Sequence, residues 1–154
     1  MYRTILIAID GSSSSRLALS EAVRLAASSH GIVHAIHVVD SAPLLSHPDL
    51  DPVQLADAMR KCGRSALDEA EQMCAAAGVT CHAELVEPVA FSDDVASIVH
   101  SRAQQVHADL VVMGTHGRRG MRRLFLGSVA EHFLRISMCP VLVLRDNESQ
   151  ESQT

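Results

Sequence analysis

Glycines at 114, 117 and 127 and a serine at 128 give the stretch "GTHGRRGMRRLFLGS" (114–128) the spacing Gly-x2-Gly-x9-Gly-Ser, with Arg118, Arg119, Arg122 and Arg123 inside it. The first two glycines let the backbone turn after an apolar run and let a ligand reach backbone N–H groups with no Cβ in the way. Gly127-Ser128 reads as the opening of a helix, whose first amides lack partners and whose dipole favours an anion. Together these features form a cradle for a phosphate chain. The spacing is neither a Walker A loop nor GxGxxG. The arginines read either as a basic flap that pairs with such an anion or as a solvated loop face.

Other side chains with chemical capacity are Asp10, His37, Glu87 and His116. Asp10 sits in an Asp-Gly-Ser run, where an aspartate also serves as a helix cap. His116 lies between two glycines and reads as a phosphate or metal contact or as a solvated loop histidine. His37, Asp10 and His116 are types that ligate metal, but strand alternation sends the His37 side chain to the face opposite Val38, which argues against that trio. Cys62, Cys74, Cys81 and Cys139 form no CxxC pair and no zinc-like group with histidine, so they read as buried thiols of a reducing compartment.

These residues need elements to position them. A chain of 154 residues that is 47% hydrophobic suffices for one domain with a full core. The apolar run at 5–9 reads as a strand covered on both faces. Serines 12–15 then cap a helix whose Leu19, Ala22, Val23 and Ala26 recur at helical spacing until His30-Gly31. Strands follow at 32–39, 80–87, 108–113 and 140–144. A long helix runs from Pro52 toward Gly78 with a stripe of Leu55, Met59, Cys62, Ala66, Ala70 and Met73. A helix at about 92–106 turns Val95, Ile98 and Val99 inward, and another starts near Ser128. The Pro-containing stretch 41–51 reads as a loop.

Five strands alternating with four helices predict a single-domain α/β sandwich with a mainly parallel sheet and helices on both faces. Ligands of such sheets lie outside the carboxyl ends of the strands, where the winding reverses. Asp10, Val38 and Gly114 all stand at such ends, which makes them one candidate site. Residues 146–154 form a polar tail with too little apolar content to fold. There is no internal repeat and no domain boundary.

Composition narrows the function classes. A net charge of −5 argues against a general nucleic-acid or anionic-membrane binder. The opening "MYRTILIAID" carries too short an apolar run for a signal segment or a membrane span. A cytoplasmic location is expected.

The chain resembles the universal stress proteins of the single-domain type, and their ATP-binding branch in particular. The resemblance rests on "ILIAIDGS" at the start, "HVVD" at 37–40, "VVMGTHG" at 111–117 and "GSVAEHFLRISMCPVLVL" at 127–144. It spans residues 1–145 and implies an adenine nucleotide alpha hydrolase-like fold with a five-stranded parallel sheet in the order 3-2-1-4-5. It also implies that Asp10 lies beside the adenosine, that the Val38 backbone recognises the adenine edge, and that Met113 and Gly114 line base and ribose. Gly117, Gly127, Ser128 and the Val129 amide would hold the phosphates, with Mg²⁺ bridging phosphate oxygens.

Two departures from the family pattern stand out. Ala8 occupies a position against the adenine where some ATP-binding relatives have proline, and Glu87-Pro88 replaces a Gly-x-Pro-like run. With the implied strand order, the run at 141–144 is an exposed apolar edge, which a homodimer would cover.

The expected function is therefore nucleotide-dependent regulation in a stress-response homodimer. Two rivals remain: a slow ATPase or phosphoryl-transfer enzyme in the same pocket, and a nucleotide-free dimerising module. Phosphoryl transfer needs a positioned base or water-orienting group. Asp10, His116 and Glu87 are the candidates, and none has a recognisable partner in the sequence. Aromatic residues make up only 3% of the chain, which disfavours a flavin-stacking carrier.

Overall fold

Each apolar run becomes a strand, because a continuous hydrophobic stretch is stable as a strand only when both of its faces are covered. The computed structural model describes residues 1–90, 92–115 and 126–146. The order is β1 (Thr4–Ala8), α1 (Ser13–Ser29), β2 (Ile32–Val38), α2 (Ala42–Ser46), α3 (Pro52–Ala76), β3 (Thr80–Val86), α4 (Val95–Gln105), β4 (Leu110–Gly114), α5 (Ser128–Ile136) and β5 (Val141–Leu144). All pairings are parallel, in the order β3-β2-β1-β4-β5, which matches the expected topology.

Side-chain alternation in the central strand divides the core. Ile5 and Ile7 enter a cluster with Leu19, Ala22, Ala66 and Ala70 of α1 and α3. Leu6 enters the other, with Val99, Ala103 and Phe133 of α4 and α5. All three β1 side chains are fully buried, as is Phe133. Burying a phenylalanine contributes about 2–3 kcal/mol, and Phe133→Ala would cost about 3–5 kcal/mol once the cavity is included.

The helix boundaries follow local chemistry. Ser12 is the N-cap of α1, its Oγ accepting from the Ser15 amide at 3.2 Å. At the other end His30, not Gly31, adopts the left-handed conformation, with φ 53°. Gly31 is needed for a different reason: a Cβ there would stand 2.7 Å from the Arg3 carbonyl oxygen. Asp94 caps α4 through the Ser97 amide at 3.0 Å, so that helix starts later than the pattern at 92–106 suggests.

Among the described residues there is one helix more than the sequence pattern predicts. The stretch expected as a loop contains α2, which has Pro43 in its first turn and buries no residue. In α3 the buried face is Gly63, Ala66, Leu67, Ala70 and Cys74. Leu55 and Met59 of the expected stripe are only half buried, and the buried face of this helix begins at Gly63. Among the described residues no helix is long and apolar enough to cross a membrane.

Candidate functional site

The winding reverses between β1 and β4: β2 and β3 lie on one side of β1, β4 and β5 on the other. This is where a parallel α/β sheet opens a crevice at its carboxyl edge. Ala8 of β1 stands in register with Met113 of β4 and with Ile36 of β2. Ala8, Val38 and Met113 belong to the α4/α5 face of the sheet. Val38 and Met113 are buried, so what they offer at the crevice is mainly backbone.

Beyond β1 the chain enters α1 through a polar turn. The Asp10 amide donates to Ser15 Oγ at 3.1 Å, and Asp10 Oδ1 accepts from the Ser12 amide at 2.9 Å. Gly11 takes φ 79°, the left-handed conformation that glycine adopts at no steric cost. Asp10 is therefore not the helix cap that an Asp-Gly-Ser run suggests, since Ser12 holds that position. The second Asp10 carboxylate oxygen has no partner among the described residues.

Gly114 ends β4 directly beneath the start of α1. A Cβ there would lie 2.5 Å from Ser14 Oγ, 2.8 Å from the Ser14 carbonyl carbon and 2.9 Å from the Ser15 nitrogen. The helix thus approaches the strand closely enough to require glycine whatever the ligand. The run Ser12–Ser15 does more than cap: Ser14 and Ser15 are buried against this junction. That role was hidden in the sequence, where serines after Asp-Gly read only as caps.

Thr115 is a residue that the spacing did not single out. Its amide donates to the Leu144 carbonyl at 2.8 Å, and its carbonyl accepts from the Gly127 amide at 2.6 Å. The start of α5 is thereby fastened to the end of β4. Gly127 is the N-cap of α5, with φ −60° and no side-chain cap. The exposed Ser128 and Val129 open the helix, where dipole and amides favour an anion. Glu131 also lies in this first turn, and Arg135 pairs with it at 2.6 Å. His116 and Gly117, with Arg118, Arg119, Arg122 and Arg123, lie outside the described residues.

The remaining candidates are engaged elsewhere. His37 points to the α3 side, opposite Val38, as alternation requires. It is buried, and its Nδ1 donates to the Ile9 carbonyl at 2.8 Å. Glu87 pairs with Arg60 of α3, which also binds Asp57 at 3.0 Å. The Glu87 carboxylate raises the Arg60 pKa above its ordinary value. Among the described residues no group of three or more His, Cys, Asp or Glu is placed to hold a metal ion. Of the four cysteines only Cys74 is fully buried; the other three are half buried.

Comparison with known proteins adds the family. Residues 1–145 match the model of the universal stress protein family. A universal stress protein of Methanocaldococcus jannaschii is 36% identical over 146 residues, covering 94% of this chain and 83% of the relative. A solved structure from the same family in Burkholderia pseudomallei superposes with a TM-score of 0.73 at 38% identity, covering 93% of this chain and 96% of that one. A universal stress protein crystallised in complex with cAMP superposes with a TM-score of 0.67 at 28% identity, covering 93% and 97%. Strand order, the match over 1–145 and these likenesses agree: the chain belongs to the universal stress protein family.

Proposed function

We propose that this protein binds ATP with Mg²⁺ at the carboxyl ends of β1 and β4 and acts as a regulatory stress-response homodimer in the cytoplasm. The observation that carries the reading is the link from the Gly127 amide to the Thr115 carbonyl, which sets the uncapped start of α5 beside the switch point. The cAMP complex of a relative supports adenine nucleotide as the ligand class.

In this reading the adenine lies over Ala8 and Met113 with its edge toward the Val38 backbone. Asp10, through its second oxygen, and Gly114 adjoin the ribose. Gly117, Gly127, Ser128 and the Val129 amide take the phosphates, with His116 as a further contact. The donor set fits the anion, because helix-start amides and a serine hydroxyl all point partial positive charge outward. Mg²⁺ would neutralise phosphate charge as a co-ligand held by phosphate oxygens.

This reading takes the role as binding, with slow ATP turnover in the same pocket as its rival. Of the three candidate bases, Glu87 is engaged with Arg60, Asp10 holds the Ser12 amide with one oxygen, and His116 lies outside the described residues. Residues 1–145 carry this role; residues 147–154, read as a polar tail, lie outside the described residues.

Isothermal titration with ATP and Mg²⁺ tests the reading. Binding tighter than about 1 mM, roughly −4 kcal/mol, is expected. Absence of heat at that level overturns it. Gly117→Val, which puts a branched side chain where amides must approach phosphate, abolishes the heat.

A further inference from the structure

The turn from α3 into β3 brings two cysteines together. Cys74 lies in the last turn of α3, and its carbonyl accepts from the Val79 amide at 2.9 Å. The chain reverses tightly here through Gly78, whose φ is 68°. Val79 is buried in the same cluster as Cys74. Cys81 lies two residues further on, so strand alternation turns its side chain to the same face. There it packs, half buried, against the cluster that holds Cys74. Cys74 and Cys81 thus share one apolar cluster at this turn, and each thiol acts on the titration of the other.

The pair is asymmetric. Its hydrogen bond to Cys81, together with burial, pushes the Cys74 thiol up and keeps it protonated. The same hydrogen bond pulls Cys81 down, making it the better thiolate. Cys81 lies on the edge strand β3 and is partly open to solvent. The Glu71 carboxylate acts on Cys81 and opposes further negative charge there. A small neutral oxidant suits this environment better than an anionic disulfide.

We propose that Cys74 and Cys81 are an oxidation site, at which a small neutral hydroperoxide joins the two thiols of this cluster in a disulfide that staples the end of α3 to β3. The Cys81 thiolate attacks one oxygen of hydrogen peroxide, the O–O bond breaks, hydroxide leaves, and Cys81 becomes a sulfenic acid. The Cys74 sulfur then attacks the Cys81 sulfur. The S–S bond forms, the S–O bond breaks, and the leaving hydroxide takes up the Cys74 proton as water. Two thiols lose two electrons and two protons in total, and one peroxide is reduced to two waters.

The test uses the intact native chain. It is exposed to a stoichiometric amount of hydrogen peroxide, denatured, blocked with a maleimide, digested with trypsin and mapped by mass spectrometry. Cys74 and Cys81 stay together in peptide 65–102, because no lysine or arginine lies between Arg64 and Arg102. That peptide is expected lighter by two hydrogens, unlabelled by maleimide and restored by dithiothreitol. Cys62 and Cys139 label fully. Fragment ions separate this outcome from sulfoxide at Met73. Cys81→Ser leaves Cys74 labelled after the same treatment, and oxidised glutathione at the same dose leaves both thiols free.

Three results overturn the proposal: maleimide on both Cys74 and Cys81 after Cys62 or Cys139 has reacted, Cys81 oxidised past sulfenic acid with Cys74 still a thiol, or a stable glutathione adduct on Cys81. The wild-type map decides the matter even if the serine variant folds poorly.

Discussion

Gly114 and Ser14 compete for one volume: the position of a Cβ on Gly114 is 2.5 Å from Ser14 Oγ, so the start of α1 rests on the bare backbone of β4. Gly114→Ala should therefore destabilise the fold by about 1–3 kcal/mol, the usual cost of overpacking a rigid junction. Urea denaturation of the ligand-free protein measures it. Ser14→Gly should not rescue the variant, because the Ser14 carbonyl carbon at 2.8 Å and the Ser15 nitrogen at 2.9 Å are backbone atoms. Full rescue would show that the hydroxyl alone is in conflict.

A similar contest governs Gly63 in α3. Alanine is favoured over glycine within a helix by about 1 kcal/mol. Here, however, its Cβ would fall 2.4 Å from His37 Cδ2 and 2.7 Å from Leu85 Cδ1. His37 has little room to yield, because its Nδ1 is tied to the Ile9 carbonyl. Gly63→Ala is expected to lower stability by about 1–2 kcal/mol net, the overpacking outweighing the helix preference. A gain in stability would mean that His37 moves at no cost.

His34 and His82 stack across β2 and β3, directly opposite in register, with ring centroids 5.0 Å apart. Burial, reinforced by the neighbouring His82, lowers the His34 pKa from its ordinary value. The folded state then binds fewer protons here than the unfolded state, so this contribution to stability is complete above the unfolded histidine pKa of about 6.5 and is lost as pH falls below it. The thermal midpoint should drop between about pH 7 and pH 5, a window above most carboxylate titrations. His82→Gln should flatten that slope, and an unchanged slope would assign it to other groups.

The dimer proposal concerns β5, whose four residues are all half buried at the edge of the sheet. An inward charge is a standard device against edge pairing. Val143→Lys should give a monomeric mass by light scattering at micromolar concentration with an unchanged far-ultraviolet circular dichroism spectrum. A persistent dimer would move the interface away from this strand.

Much of the fold was legible from local patterns. Apolar runs marked the five strands, and helical spacing marked α1, where Leu19, Ala22, Val23 and Ala26 are all buried as expected. These readings succeed because burial on two faces, or on one stripe, leaves a periodic trace in the chain. The helix α2 left no such trace, since it buries nothing and is held by local contacts such as the Leu44 amide to the Ser41 carbonyl at 3.0 Å.

Chain pattern alone marks the five strands, the helices other than α2, and three residues at strand ends: Asp10 after the first run, Val38 at the second and Gly114 after the fourth. Tertiary structure alone decided what several of these residues are for. Gly114 is required by the approach of α1, Gly31 by the Arg3 carbonyl and Gly63 by the His37 ring. Thr115 gained its place because β4, β5 and α5 converge on its two backbone groups. The stacking of His34 on His82 arises in the same way. The physical reason is common to all: close approach and hydrogen bonding are pairwise properties, set by strand register and helix placement, whereas a single chain position carries only its own preference.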